Sequence, residues 1–368
     1  MVNIAVAGGG TGGHIYPGLA LAAYLRRRLP CRIFWIGSRT GMDRALVEGA
    51  GLEFFGVPSG RLRRYVTLKT IPDFFRVLMG FFAARKILKK ERPALLFSKG
   101  GFVSVPPCAA AASLGIPVFT HESDYSPGLA TKINVRFTVP GTGSIFTAYE
   151  DTAAFFPPAL RSRVRVSGNP VRPEFRSADP GRGRAFLGLT GGERILLVLG
   201  GSQGASEINE LVWKSLEKLT RWYTVVHQTG PGKAAAEAPK TGRGYLPFPY
   251  INEEMPHVLA AAELVLGRSG AGTVWESATL GRPMVLVPLR GSGTRGDQVE
   301  NARFFEKSGA AVTLSGEPDA ETLAGLIGSL AEDTKKREAL AAASKRIGET
   351  DGAALIADAI CTFIGEKS

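Results

Sequence analysis

Along this chain, short unbroken apolar runs are followed by glycine-bearing turns and then by stretches in which apolar residues recur every three or four positions. That order predicts buried strands feeding helices. Ile4 to Ala7 is a strand, Gly8-Gly-Gly-Thr-Gly-Gly-His14 a loop, and Tyr16 to Arg26 a helix with Pro17 near its start. Strands at Arg32–Gly37, Ala94–Phe97 and Ile116–Thr120 follow, with a loop at Ser98–Phe102, a small-residue helix near Pro107–Ser113, and polar turns at His121–Asp124 and Pro127–Lys132. The pattern then restarts with a strand at Arg194–Leu199, a glycine turn at Gly200–Ala205, a helix from Glu207 to Leu219 and a strand at Tyr223–Val226. A weaker segment ends at Phe248–Ile251, and Leu264 opens a strand, a turn, and a brief helix closed by Gly281. A second buried strand opens after Pro283, Arg290–Gly296 reads as a flexible loop, and Asp297–Ala302 heads a helix. Two helices, Asp319–Leu330 and Ala353–Ile364, close the chain. Alternating βα units of this kind predict an α/β protein with parallel sheets, whose ligands lie at the carboxyl ends of the strands. The halves echo each other without a close sequence repeat.

Length agrees with a duplicated plan, because 368 residues exceed one ordinary α/β core. Val164–Arg172 ends the first half, and the stretch Pro173–Gly192, rich in Gly, Pro and Arg, reads as a linker. With 44% hydrophobic and 21% charged residues the composition is that of a soluble globular protein. Cys31, Cys108 and Cys361 are odd in number and far apart, which argues against a disulfide framework or zinc site and fits a reducing cytosol. No basic segment precedes the first strand, so a signal peptide is not expected. The longest uncharged run, Gly100 to Thr120, is interrupted by Pro106, Pro107, Gly115 and Pro117, as in a buried helix and strand rather than a membrane span.

Charge changes the picture. The net value is +12, and Arg61 to Arg92 holds ten basic residues against Asp73 and Glu91, that is 10 − 2 = +8. A solvated helix face is the ordinary fate of such a run. Here the cations alternate with Ile71, Phe74, Phe75, Leu78, Met79, Phe81 and Phe82, a spacing that predicts a helix with a wide aromatic stripe. Part of that stripe faces the core, and the rest favours an anionic membrane surface, with Arg63, Arg64, Lys69 and Phe74 as its contact residues. No nucleic-acid motif appears, and nucleic acid is not expected as a partner.

The turn at Arg268-Ser-Gly-Ala-Gly-Thr273 aims free amides and a positive helix end at one point, where an anion is the natural guest. Glu276 is placed in the first turn of that helix. Thr273-Val-Trp-Glu276 fits a capping box, and the same carboxylate suits the vicinal hydroxyls of a ribose; both readings stand. Gly8, Gly10 and Gly13 satisfy G-x-G-x-x-G, weak evidence alone for a dinucleotide site. The strand ending at Gly37 lacks the acidic residue that would hold an NAD ribose, while Arg39 suits a 2′-phosphate, so an NADP-dependent oxidoreductase is a minor alternative.

Taken together, Gly8-Gly-Gly-Thr-Gly-Gly-His-Ile-Tyr-Pro-Gly18, Lys99-Gly-Gly-Phe-Val-Ser104, His121-Glu with Gly128-Leu-Ala-Thr-Lys132, Gly168-Asn-Pro-Val-Arg172, Gly200-Gly-Ser-Gln-Gly-Ala205 and Arg268-Ser-Gly-Ala271 with Glu276 resemble the MurG family. These bacterial glycosyltransferases move N-acetylglucosamine from UDP-GlcNAc to lipid I, making lipid II for peptidoglycan. The resemblance implies a GT-B fold of two Rossmann-like domains facing across a cleft. An acceptor and membrane-facing domain is expected over 1–166 and a UDP-GlcNAc donor domain over 167–350, with a helix in 351–368 packing back on the first. It further implies a peripheral location on the cytoplasmic face of the membrane. Carried over by position, Glu276 holds the ribose and the Ile251 backbone the uracil. Ser202 and the backbone of Ala271, Gly272, Thr273, Val274 and Trp275 hold the diphosphate, with Gln298 and Arg172 completing the donor contacts. Thr11, Gly12 and Gly13 reach the reacting sugar. The family often has His-Glu-Gln-Asn where this chain has His121-Glu-Ser-Asp124, so a carboxylate, Asp124, replaces an amide contact.

No D-x-D occurs, so the usual carboxylate pair for a nucleotide-bound metal is missing, and neither metal nor cofactor is expected. The turns at Gly200 and Ser269, their helix ends and Arg268 then stabilise the leaving diphosphate. His14, at a helix N-terminus that favours the neutral imidazole, is the candidate base; His121 is second, and Glu122 is a candidate to orient either. A non-catalytic nucleotide-sugar or lipid-binding subunit is the third reading, and it leaves His14 without a purpose.

Overall fold

Unbroken apolar runs become the inner strands of two all-parallel sheets. The structure is a computed structural model that describes residues 1–60, 70–140, 143–201, 204–233, 244–291, 295–316 and 318–366. The chain divides into two units, Met1–Arg172 with Asp351–Ser368, and Pro173–Thr350. The first unit therefore extends to Arg172 rather than ending at 166.

In the first unit the order is β1 (Val2–Ala7), α1 (Gly12–Arg28), β2 (Cys31–Ser38), α2 (Asp43–Gly49), β3 (Glu53–Val57) and α3 (Thr70–Glu91). It continues with β4 (Leu95–Ser98), α4 (Val105–Ser113), β5 (Val118–Glu122), α5 (Leu129–Asn134), β6 (Ile145–Thr147), α6 (Pro158–Arg161) and β7 (Val164–Val166). The sheet runs β3-β2-β1-β4-β5-β6-β7. Val6 and Phe97 point to one face, where Leu21 and Leu25 of α1 cover them; Ala5 and Leu96 point to the other, under Ala84 and Leu88 of α3.

The second unit opens with α7 (Pro173–Arg176) and α8 (Pro180–Phe186), so the expected linker is folded. Asp179 caps α8 by accepting from the Gly181 amide, and Gly183 lies so close to the helix Met255–Ala261 that a Cβ would sit 2.1 Å from the His257 carbonyl oxygen. Then come β8 (Ile195–Leu199), α9 (Ser206–Leu219), β9 (Thr224–Gln228), β10 (Tyr245–Phe248), α10 (Met255–Ala261), β11 (Leu264–Gly267), α11 (Ala271–Thr279) and β12 (Met284–Leu286). The unit ends with α12 (Asp297–Lys307), β13 (Ala311–Thr313), α13 (Ala320–Glu332) and α14 (Thr334–Gly348). Its sheet order is β10-β9-β8-β11-β12-β13, the same plan as in the first unit. The sequence reading lacked β13 and α14.

The last helix, α15 (Gly352–Gly365), belongs to the first unit. Ile356, Ile360, Phe363 and Ile364 follow helical spacing and join the cluster that holds Val6, Trp35 and Phe119, with Phe363 5.0 Å from Phe119 between ring centroids. Asp351 caps the helix through the Ala354 amide (3.1 Å) and accepts from the Tyr24 hydroxyl of α1, so the start of α15 is tied to the helix it covers. A side-chain cap of this kind contributes about 1 kcal/mol.

Candidate active site

In both sheets the connections on either side of one strand pair leave in opposite directions, at β1/β4 and at β8/β11, which opens a crevice at the strands' carboxyl ends. At β1/β4 two glycine loops meet. Gly101 has φ +76°, and a Cβ on it would lie 2.7 Å from the Gly9 carbonyl oxygen and 2.9 Å from the His14 ring. Only glycine permits that approach. The loop is held from behind by Asp43, fully buried at the head of α2, whose carboxylate accepts from the Gly10 and Ser38 amides, each at 2.9 Å. The Trp35 indole donates to the Gly8 carbonyl (2.9 Å). Thr11 and Gly13 are exposed, Gly12 is buried, and half-buried His14 lies in the first turn of α1 with its amide bonded to the Thr11 carbonyl at 3.1 Å.

Around β5 the polar residues divide sharply in role. His121 is fully buried, its Nε2 donating to the Gly168 carbonyl at 3.0 Å, and burial beside the Lys99 cation pushes its pKa well below the usual value. Glu122 shapes its own turn, accepting from the amides of Ser123 (2.9 Å), Asp124 (3.0 Å) and Gly128 (3.1 Å), so it orients neither histidine. Asp124, within that turn, is half-buried. The Arg172 guanidinium stacks over the Tyr16 ring at 4.8 Å, which brings the end of the first unit's chain to the start of α1.

In the second unit α11 begins at Ala271, with Gly270 as its N-cap. Thr273 and Glu276 therefore both lie inside the helix, Glu276 in the second turn rather than the first, and a capping box does not form. The Val274 amide is already bonded to the Gly270 carbonyl (3.2 Å), and helical geometry takes the Trp275 amide as well. Anion-facing amides are thus those of Ala271, Gly272 and Thr273. The second glycine turn needs Gly204, with φ +67° and a would-be Cβ 2.0 Å from the Thr229 carbonyl oxygen. Ser202 lies outside the described residues.

Arg268 is buried and committed, donating to the Val287 carbonyl (3.1 Å) and pairing with Glu207, so it braces the turn between β11 and α9. The Gln298 side-chain oxygen accepts from the Leu289 amide (3.0 Å), and its carbonyl from the Ser269 hydroxyl (2.6 Å). The Ile251 amide donates to Gln228 Oε1 (2.9 Å), so that amide is committed within the unit. Beneath this edge runs a buried chain of bonds: Trp213 Nε1 to Tyr245 (2.8 Å), the Tyr245 hydroxyl to His227 Nδ1 (3.1 Å), His227 Nε2 to Asn209 Oδ1 (3.1 Å), and Asn209 Nδ2 to the Thr229 carbonyl (3.0 Å). Burial lowers the His227 pKa to about 4.

Helix α3 buries Gly80, Ala84 and Leu88, while Phe74, Phe75, Leu78, Met79 and Phe82 are exposed, Phe74 at 64%. Arg76 is exposed beside this stripe, with Arg85, Lys86, Lys89 and Lys90 in the turns that follow. Arg63, Arg64 and Lys69 lie outside the described residues. Among the described residues no helix is long and apolar enough to cross a membrane, and no group of three or more His, Cys, Asp or Glu is arranged to hold a metal ion.

Family models match both halves in order, the glycosyltransferase family 28 N-terminal domain over residues 4–139 and its C-terminal domain over 195–359. The chain belongs to glycosyltransferase family 28. Within that family it is 48% identical over 335 residues to a Treponema denticola UDP-N-acetylglucosamine–N-acetylmuramyl-(pentapeptide) pyrophosphoryl-undecaprenol N-acetylglucosamine transferase, covering 86% of this chain and 85% of that one. It is 44% identical over 372 residues to the Treponema pallidum protein of the same name, covering 99% and 96%. The crystal structure of Acinetobacter baumannii MurG superposes with a TM-score of 0.74 at 25% identity, covering 98% of this chain and all of that one. The family 28 architecture accords with the two Rossmann-like domains expected from the sequence. Three supporting residues escaped that reading. Asp43 lies six residues past Gly37, the strand end where an acidic ribose ligand was sought; Lys99 and His227 sit at strand ends whose periodicity marks only apolar neighbours.

Proposed function

We propose that the protein transfers N-acetylglucosamine from UDP-GlcNAc to lipid I, with inversion at the anomeric carbon, to give lipid II for peptidoglycan. The observation that carries this reading is the pair of glycine turns at equivalent switch points, one per unit. The names borne by relatives 44–48% identical supply the substrates.

On this reading the second unit holds the donor. The amides of Ala271, Gly272 and Thr273, the α11 N-terminus and the Gly200–Ala205 turn, including Ser202, receive the diphosphate. Glu276 accepts hydrogen bonds from the ribose hydroxyls, and the Ile251 carbonyl accepts from uracil N3–H, since the Ile251 amide is spent on Gln228. Gln298 and Arg172 complete the donor contacts. The first unit holds the acceptor: Thr11, Gly12, Gly13 and Asp124 contact sugar, and His14 takes the proton of the attacking hydroxyl. The acceptor oxygen bonds to the anomeric carbon as the bond to the diphosphate oxygen breaks. UDP leaves with that electron pair, its new charge met by amides already in place. Val274 and Trp275 contribute as the buried core of α11 rather than through their amides.

The exposed aromatic stripe of α3 and its cations, with Arg63, Arg64, Lys69 and Phe74, rest on the anionic cytoplasmic face of the membrane, where the polyprenyl acceptor is embedded. An NADP-dependent oxidoreductase accounts for the first glycine loop alone and leaves the second unit's turn unused. Radiolabelled UDP-GlcNAc incubated with a lipid I analogue decides the matter. Labelled lipid product without nicotinamide supports the reading, and its absence overturns it; His14→Ala at near-normal rate would remove the base assignment alone.

A further inference from the structure

We propose that Gln228 is a positioning residue of the donor half: by holding the Ile251 amide it fixes which half of that peptide group meets the base, and so sets a preference for uracil over cytosine. The proposal deepens the reading of Ile251 as the uracil contact and rests on it. β9 is apolar through Val225 and Val226, then turns polar while still buried, at His227, Gln228 and, just past its end, Thr229. Buried polar groups are kept with partners, and the carboxyl end of a parallel strand is where ligands bind. The partner of Gln228 is the Ile251 amide, which donates to Oε1 at 2.9 Å. Oxygen is the atom concerned, because the side-chain NH2 is a donor and cannot accept.

The rest of the β9 exit holds the same segment. Gln228 lies opposite Phe248 in the parallel register, the Thr229 amide and hydroxyl both donate to the Phe248 carbonyl (2.9 and 3.2 Å), and the Gly230 amide donates to the Pro249 carbonyl (3.0 Å). None of these three bonds involves the Gln228 side chain; the Ile251 amide is the group that depends on it. The Thr229 carbonyl also accepts from Asn209 (3.0 Å) and lies against Gly204 of the second glycine turn, so one strand end braces the groups proposed for base and for diphosphate. Uracil offers a donor at N3, whereas cytosine offers a bare acceptor there. With its amide held by Gln228, Ile251 meets the base through its carbonyl, which bonds uracil N3–H and repels the cytosine lone pair. An amide released from Gln228 is a buried donor in need of a partner, and cytosine N3 supplies one.

The test is calorimetric titration of UDP, CDP and 3-methyl-UDP into the full chain. Three proteins are compared: wild type, Gln228→Met, which keeps the stem and removes the acceptor, and Gln228→Glu, which keeps an acceptor. The readout is the ratio of the CDP Kd to the UDP Kd, because damage to the fold or to the diphosphate contacts shifts both nucleotides together. We expect a ratio of about 30 or more in wild type, about 3 or less in Q228M, and a value within about threefold of wild type in Q228E. A wild type that binds both nucleotides alike, a Q228M protein that keeps the wild-type ratio, or a ratio lost equally in Q228E overturns the proposal. Should Q228M fail to fold, Gln228→Ala removes the same acceptor and carries the same expectation and the same refutation. 3-Methyl-UDP, which lacks the N3 proton, should bind wild type about tenfold or more weakly than UDP. Equal affinity for the two overturns the Ile251 reading and the proposal with it, whereas weak 3-methyl-UDP binding with an unmoved Q228M ratio overturns the proposal alone.

Discussion

Asp43→Asn is the change that separates a glycine loop held in shape from one that merely has the right composition. The carboxylate is buried and accepts from two backbone amides, Gly10 and Ser38, each at 2.9 Å. Asparagine has the same size, so no cavity opens, but it keeps a single acceptor oxygen and turns an NH2 group toward the other amide. A buried donor left unpaired costs about 1–3 kcal/mol, and the loss of a charge-assisted bond adds to it. If about 2 kcal/mol of that cost falls on the loop carrying Thr11, Gly12 and Gly13, the transition state loses about 30-fold in rate. Steady-state transfer to a lipid I analogue should show kcat reduced about 10- to 100-fold, and UDP affinity by calorimetry should be unchanged because the nucleotide contacts proposed above, Arg172 apart, are residues of the other unit. Urea unfolding monitored in parallel gives the share of the cost that appears as global stability. A variant with full kcat and undiminished stability would refute the idea that Asp43 sets the loop.

Two further outcomes follow from named contacts. His227 is neutral in the folded protein with a pKa near 4, against 6.5 ordinarily, so its contribution to stability is complete above pH 6.5 and is lost as pH falls toward 4, by about 3 kcal/mol over the window. His227→Gln should remove that part of the acid sensitivity; parallel pH-stability curves for the two proteins would contradict it, and His121, which titrates in both, does not affect the comparison. Changing Phe74, Phe75 and Phe82 together to Ser should abolish sedimentation with phosphatidylglycerol vesicles while leaving turnover on a detergent-soluble acceptor within about threefold; unaltered sedimentation would rule out α3 as the contact.

The sequence made the repeated plan legible because parallel strands buried on both faces are written as unbroken apolar runs, and β1, β4, β8 and β11 each end on the glycines or polar residues expected. It was less informative where a tertiary partner decides the outcome. The Gly/Pro/Arg-rich stretch after Arg172 has the composition of a linker, yet α8 folds because Gly183 allows close contact with α10. Thr273-Val-Trp-Glu276 matches a capping box by spacing, and the helix starts three residues earlier than that box would have it, at Ala271, because Gly270 takes the cap. Arg268 reads as a phosphate ligand from its place in the motif, while Glu207 and the Val287 carbonyl, distant in sequence, claim it. Asp43, Lys99 and His227 act from behind the loops, and nothing in the local pattern distinguishes a polar residue turned inward from one turned to solvent.

The most direct measurement of the account is calorimetric titration of UDP and of its 2′,3′-dideoxy analogue into the wild-type protein and Glu276→Gln. If the carboxylate in the second turn of α11 receives the ribose hydroxyls, E276Q should bind UDP about tenfold or more weakly than wild type, and the dideoxy analogue should bind both proteins alike. Equal UDP affinity for the two proteins would contradict the placement of the nucleotide on that helix.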